Sequence, residues 1–401
     1  MTRPVVIVGA GPAGLSAARC LAEAGLRDVR VLERATEPGG LPRSCLHPGW
    51  GMLDFGRVWT GPSYARRLAE AAMAAGVEIV TGAAATSIGA DGTVGVAHTE
   101  GHAHVGACAV LIATGIREMS RAARAISGSR PWGVLNTGAF QDMVAAGSPP
   151  PFHAPVIVGT EWVAFSALLT ARHARIRPVA MIEPGPRILA HRPADLVARH
   201  VFGVPVLLRT RLLAIEGAER VEAVRVECGG RVERIACDGV VLSGRFVPDA
   251  ALARASDIAI DRGTGGPVID SAWRCGEGAV FAAGNAVRPV EHSGFVAREG
   301  RAAAQAILKA LAGALPPFAE GLPVEARGAL RYAYPQRLVR DAGGATLHAR
   351  AATAHDGWLR VLADGRAVHE RRVRALPERR LRLDVAAATL RDAAALTVEL
   401  A

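Results

Sequence analysis

Lysine is almost absent from this 401-residue chain, Lys309 being the single one. The formal charge of +10 is therefore carried by arginine. Aromatic residues make up only 4%. The arginines are scattered among acidic residues, as across residues 216–233. A nucleic-acid surface clusters its basic side chains and interleaves aromatics, so no nucleic-acid partner is expected. The charge instead suits anionic cofactors or an acidic partner, or is a solvated surface with an arginine bias. Cys20, Cys45, Cys108, Cys228, Cys237 and Cys275 include no C-x-x-C pair. That removes the spacing of a zinc ribbon or a redox dithiol, and the cysteines are too dispersed for a disulfide framework. A reducing, cytoplasmic setting is the expectation. No uninterrupted apolar run approaches the roughly eighteen residues of a membrane span. Residues 4–18 are apolar but broken by Gly9, Gly11 and Gly14, so they do not form a signal-peptide core.

What is present is apolar and small-residue-rich sequence: half the chain is hydrophobic and 45 residues are glycine. Such composition lets helices sit close on a sheet. Residues 5–8 form a β-branched run, read as a buried parallel strand. A glycine turn, a helix to about residue 24 and a strand at 29–32 follow. A helix is expected at 62–75, short strands at 77–80, 83–88, 93–98 and 102–107, and a buried strand at 110–113. A second strand–helix–strand unit is expected at 156–158, 162–173 and 179–182, with strands to 242. A strand at 280–283 and a helix at 295–311 rejoin the first unit. Residues 313–323, rich in Gly and Pro, read as a linker, and the rest as a small antiparallel β domain.

The fold class is therefore α/β. A split Rossmann-like domain (1–118 and 249–315) encloses an inserted second Rossmann-like domain (119–248), and a C-terminal antiparallel β domain covers 316–401; the motifs below assign the first to FAD and liken the second to an NAD(P) domain.

The strongest local motif is Gly9-Ala10-Gly11-Pro12-Ala13-Gly14, between a strand and a helix. The first glycine permits the turn, the second admits a pyrophosphate to the backbone, and the third lets the helix pack on the strand. The helix N-terminus then offers free N–H groups and a positive dipole to phosphate. Glu33 ends the second strand, placed to accept from a ribose hydroxyl. The second unit departs from this pattern. Its turn reads Gly159-Thr160-Glu161-Trp162-Val163-Ala164. Glu161 stands where the phosphate-admitting glycine belongs, and its charge would repel a pyrophosphate by ~1–4 kcal/mol. Glu183 still ends the following strand. Weighing the lost glycine over Glu183, ordinary NAD(P)H binding is not expected.

Ala113-Thr114-Gly115, Ala283-Gly284-Asn285, Gly39-Gly40-Leu41, Cys45-Leu46-His47 and Gly49-Trp50-Gly51 add a family pattern. So do Thr60-Gly61-Pro62-Ser63-Tyr64-Ala65, Ser129-Arg130-Pro131-Trp132-Gly133-Val134 and Gly265-Gly266-Pro267-Val268-Ile269-Asp270. With them, residues 1 to about 312 resemble the FAD-dependent pyridine nucleotide-disulfide oxidoreductase superfamily. Within it, the chain resembles the companion flavoprotein subunits of glycerol-3-phosphate, opine or amino-acid dehydrogenases. The resemblance implies FAD held by Gly9, Gly11, Pro12, Ala13, Gly14, Glu33, Arg34, Gly40, Thr114, Gly115, Arg117, Gly284, Asn285 and Gly294. Family members usually carry Asp, which holds the ribityl chain, where this chain has Asn285. Asn can still hydrogen-bond a hydroxyl, without charge. Arg117 either faces FAD or pairs with Glu118.

Cys45 and His47 are the candidate catalytic residues. Cys45 lies near where disulfide reductases carry a flavin-facing pair, but no second cysteine is close in sequence. It is either a redox thiol or a small buried hydrophobe. No metal site is expected; His98, His102 and His104 share a predicted hairpin without a ligand set. His292 either reaches the flavin or caps the helix after it. The expected function is FAD-dependent oxidoreduction, by the chain itself or as one member of a complex. Electrons would pass between a small organic substrate or partner dehydrogenase and an acceptor. The alternatives are an NAD(P)H-dependent reductase using Cys45 and a non-catalytic FAD-bound structural or regulatory subunit.

Overall fold

The computed structural model describes residues 3–191, 193–340 and 343–401. Two parallel sheets of the same design organise the first three quarters of the chain. The first runs Val280–Ala282, Ala109–Ile112, Val5–Val8, Val29–Glu33, Glu78–Thr81 in spatial order, all neighbours parallel. The second runs Val134–Asn136, Gly239–Leu242, Pro155–Val158, Ala180–Glu183, Val206–Leu208, again all parallel.

Their central strands, Val5–Val8 and Ala109–Ile112 in the first and Pro155–Val158 and Gly239–Leu242 in the second, are apolar throughout because both faces are covered. In the first sheet Ile7, Val31, Leu111 and Phe281 pack with residues of helices Pro12–Glu23, Gly61–Ala74 and Ser293–Leu311. The alternate residues Val6, Val8, Val110 and Ile112 pack on a three-stranded meander, Ala84–Ile88, Thr93–His98 and Gly101–Gly106. The second sheet repeats this. Ile157, Met181 and Val241 face helix Trp162–His173, and Val156, Ile182 and Leu242 face the meander Thr210–Glu216, Ala223–Cys228 and Arg231–Ala236. Two crossing segments join the sheets, Ile116–Glu118 and Phe246–Pro248, paired antiparallel.

Residues after the long helix form two further sheets around their own core. Leu381–Val385 alternates buried and exposed, as its sequence requires. One pair departs from the antiparallel expectation: Leu322–Gly328 runs parallel to Leu396–Leu400. The two segments lie at opposite ends of this region, and neither was recognised as a strand in the sequence. The helix Ala194–His200 was missed as well. The 313–323 segment is pinned rather than free. Arg274 donates to the Pro316 carbonyl at 2.7 Å, and Glu277 accepts from the Phe318 and Ala319 N–H groups. Among the described residues no helix is long and apolar enough to cross a membrane.

Candidate functional site

The first sheet opens onto a cradle built almost entirely of backbone. Gly9 has φ +107°, outside the range of most side-chain-bearing residues. A Cβ on Gly14 would lie 1.9 Å from the Gly9 carbonyl oxygen, so only glycine lets the helix approach the turn this closely. At Gly11 the opposite holds: a Cβ there would have nothing within 4 Å. Helix Pro12–Glu23 starts at this open point, with no side chain capping its first N–H groups. Gly40 closes the far side, its ideal Cβ 2.9 Å from the Gly11 Cα. A Cβ on Gly284 would lie 2.8 Å from the Ala13 Cβ.

Glu33 is buried, and its carboxylate accepts from the Ala10 N–H at 2.8 Å and the Ala35 N–H at 2.9 Å. It thus fixes the shape of the glycine turn, leaving lone pairs for a further donor. Arg34 is exposed and pairs with Asp249 at 3.2 Å. Thr114 donates to the Asp249 carbonyl at 2.7 Å, and the Asp249 N–H to Gly115 at 2.9 Å. Those bonds tie Ala113-Thr114-Gly115 to the returning crossover. Arg117 is exposed, and no ion pair to Glu118 is seen among the described residues. Adjacent strand residues point to opposite faces, and Glu118 instead accepts from the Gly138 N–H at 2.7 Å. Burial pushes the Glu118 carboxyl up to about 7, against the opposing effect of that bond and of Arg124.

The second cradle has the same frame and a different content. Gly159 has φ +125°, and Glu183 bonds the Thr160 hydroxyl at 2.6 Å and the Gly185 N–H at 2.9 Å. Thr160 and Glu183 therefore stand where Ala10 and Glu33 stand in the first. Glu161 folds its carboxylate back into the cradle itself. It accepts from the Ser243 hydroxyl and lies 3.1 Å from where a Cβ of Gly244 would be and 2.7 Å from that of Gly159. Burial raises the Glu161 carboxyl above the usual range, with the Ser243 bond opposing. Arg124 fixes the same loop, donating to the carbonyls of Ser243 and Gly244 at 2.6 and 2.7 Å. Ser243 and Arg124 had no sequence signal, because their relevance depends on which loops meet.

Cys45 and His47 sit where the turn Leu41–Ser44 meets helices of the second unit. The Cys45 thiol is buried against the Leu41 carbonyl and Gln141. His47 contacts Ser166 through Nε2 and the Pro48 carbonyl through Nδ1, and Ser44 bonds Asp142. Burial, with Asp142 adding to it, pushes the Cys45 thiol up to about 12. A nucleophile or charge-transfer donor needs the ionised form, which burial here disfavours.

Asn285 closes the loop that follows strand Val280–Ala282. Its Oδ1 accepts from the Glu291 N–H at 2.8 Å and its Nδ2 donates to the Glu291 carbonyl at 3.2 Å. His292 caps helix Ser293–Leu311 by accepting from the Gly294 N–H at 3.2 Å. A Cβ on Gly294 would strike Leu53 at 2.6 Å. Leu53, from the short turn Met52–Phe55, was not anticipated beside this helix end.

Two parallel sheets, each opening onto a glycine turn and a helix N-terminus, define a protein with two dinucleotide-type cradles. The model of the family described as pyridine nucleotide-disulphide oxidoreductase matches residues 3–306, and the chain belongs to that family. Members of this family bind FAD. The chain is 26% identical over 312 residues to one of the subunits of opine oxidase from Agrobacterium tumefaciens (strain Ach5), covering 70% of this chain and 60% of that one. It thus spans less than two thirds of that relative's length. Among solved structures, thioredoxin reductase of T. acidophilum superposes with a TM-score of 0.64 at 23% identity, over 77% of this chain and 98% of that one. A NAD-dependent persulfide reductase from A. fulgidus gives 0.58 at 19% identity, over 96% of this chain and 71% of that one. These likenesses are of fold.

Proposed function

We propose that the chain is an FAD-dependent oxidoreductase whose second cradle is closed to NAD(P)H by its own Glu161. The carrying observation is the contrast between two equivalent positions. Gly11 leaves open space at a helix N-terminus, whereas Glu161 fills the same place with a carboxylate held by Ser243. The first helix start is open to an anion, whereas the Glu161 side chain occupies the space at the second. FAD suits the first cradle because the Gly9–Gly14 turn, Gly40 and Glu33 leave backbone donors and a carboxylate around the opening. When bound, FAD supplies hydride or electron transfer. The chain's part is to hold the pyrophosphate on the helix N-terminus, orient the ribose through Glu33, and present helix Ser293–Leu311 end-on.

Electrons then come from a small organic substrate or from a companion dehydrogenase subunit, and leave to an acceptor. The likeness to an opine oxidase component supports the companion role. A second reading, NAD(P)H-dependent reduction of a small oxidant, draws on the retained Glu183 and parallel sheet. Anaerobic stopped-flow reduction separates the two. The FAD-loaded protein should bleach slowly or not at all with NADH or NADPH, at low and at high salt. Salt screens the Glu161 charge but leaves its bulk in place. Rapid, saturable bleaching by micromolar NADH sinks the proposal in favour of the second reading.

A further inference from the structure

The C-terminal β region meets the first domain at several places, among them residues 269–271 and, beside the first cradle, residues 288–295. Tyr332 donates its hydroxyl to the Pro289 carbonyl at 3.0 Å. Arg350 donates to the Val290 carbonyl and to the Glu291 carboxylate, both at 2.8 Å. Arg288, wholly buried, lies 4.9 Å from the Tyr334 ring centroid and bonds the Gly284 carbonyl at 2.9 Å and the Glu299 carboxylate. Arg380 covers Phe295 at 4.8 Å and stands 3.9 Å from Glu291.

The gripped loop is not remote from the first cradle. It begins at Gly284, against Ala13 in the first turn of helix Pro12–Glu23. It closes through the Asn285–Glu291 clasp and ends on His292, the cap of helix Ser293–Leu311. Glu291 is therefore shared: its backbone holds Asn285, and its side chain is held by Arg350. In this seam three guanidiniums, of Arg288, Arg350 and Arg380, meet two carboxylates, of Glu291 and Glu299. The excess charge is positive and adjoins the N-terminal end of helix Ser293–Leu311.

We propose that the C-terminal β region is a positioning element for the flavin site, with Arg350 as its positioning residue acting through Glu291 and Asn285. The proposal rests on the reading that FAD occupies the first cradle. Two consequences follow from it. The loop is held in one shape only while the C-terminal region is docked, so loss of the grip loosens FAD. Positive charge near the helix N-terminus stabilises the negative charge that reduction brings to the flavin, so loss of the Arg350 charge lowers the reduction potential.

The test uses full-length protein as wild type, Arg350→Met, Arg350→Lys, Tyr332→Phe and the exposed control Arg366→Met. FAD content, FAD dissociation rate and the midpoint potential of the bound flavin are measured for each. Arg350→Met should release FAD about tenfold faster, the worth of one charge-assisted hydrogen bond, and should have a lower potential. Arg350→Lys should recover the potential better than the dissociation rate, because it restores charge but not the forked geometry. Tyr332→Phe should speed release with little change in potential, and Arg366→Met should match wild type. Folded Arg350→Met with wild-type potential and release overturns the proposal. Should that variant fail to fold, wild-type release in Tyr332→Phe overturns it instead. Wild-type protein that takes up no FAD defeats the FAD reading and this proposal together. FAD-loaded protein with unresponsive variants defeats this one alone.

Discussion

Cys45 is buried against Leu41 and Gln141, with the Asp142 carboxylate nearby and a Ser166 hydrogen bond acting in the opposite sense. The protein interior disfavours the thiolate, and the nearby Asp142 carboxylate repels it. At neutral pH the group is therefore a thiol. Cys45→Ser is expected to leave the spectrum of bound FAD unchanged from pH 6 to 9, and the wild-type thiol should alkylate slowly with iodoacetamide. A long-wavelength absorption band that disappears in the serine variant would restore a redox role. Glu161 shows the complementary case, an ionisable group whose position carries the meaning. On the proposed reading, its carboxyl group takes the space that a dinucleotide pyrophosphate would need at the second helix start.

At the scale of elements, the two crossing segments decide how the sheets are joined. Glu118 on the outgoing segment is held at the start of helix Thr137–Ala145 by the Gly138 N–H. Its carboxyl is raised from 4.5 to about 7. The folded protein thus keeps a proton that the unfolded chain releases above pH 4.5. This contribution to stability is fully present below about pH 4.5 and is lost as pH rises through about 7. The amount is ~1–3 kcal/mol after allowance for partial exposure. Glu118→Gln keeps an acceptor for Gly138 and removes the titration. Urea unfolding at pH 5 and pH 8 should show a smaller difference in the variant than in wild type. An equal difference in both would show that Glu118 is not the group responsible.

For the molecule as a whole, FAD binding and folding are linked. A ligand that binds only the folded state stabilises it by about 2.7 kcal/mol at a hundredfold excess over Kd. FAD should therefore raise the melting temperature of the apoprotein, with the rise growing as FAD is added. Gly11→Glu builds into the first cradle what Glu161 places in the second. It should abolish the FAD-dependent rise, while Glu161→Gly leaves it intact. A Gly11→Glu protein that is still stabilised by FAD would place the cofactor elsewhere.

The sequence alone determined the parts governed by short-range rules. A β-branched run, a glycine turn, a helix and an acidic residue follow one another within about thirty residues, so both strand–helix–strand units could be read directly. Helix Trp162–His173 matched its expected limits. Glu161 stood out because a fixed motif has a fixed place for glycine. Tertiary structure decided what depends on distant segments meeting. Leu322–Gly328 pairs with Leu396–Leu400 across most of the C-terminal region, and neither strand predicts its partner. Glu161 finds Ser243 across 82 positions, and Arg350 finds Glu291 across 59. Cys45 follows a glycine loop in sequence, and only the fold shows it buried against Gln141 of the inserted unit. Burial, ionisation and charge pairing depend on the neighbours a side chain acquires in three dimensions, which local spacing does not encode.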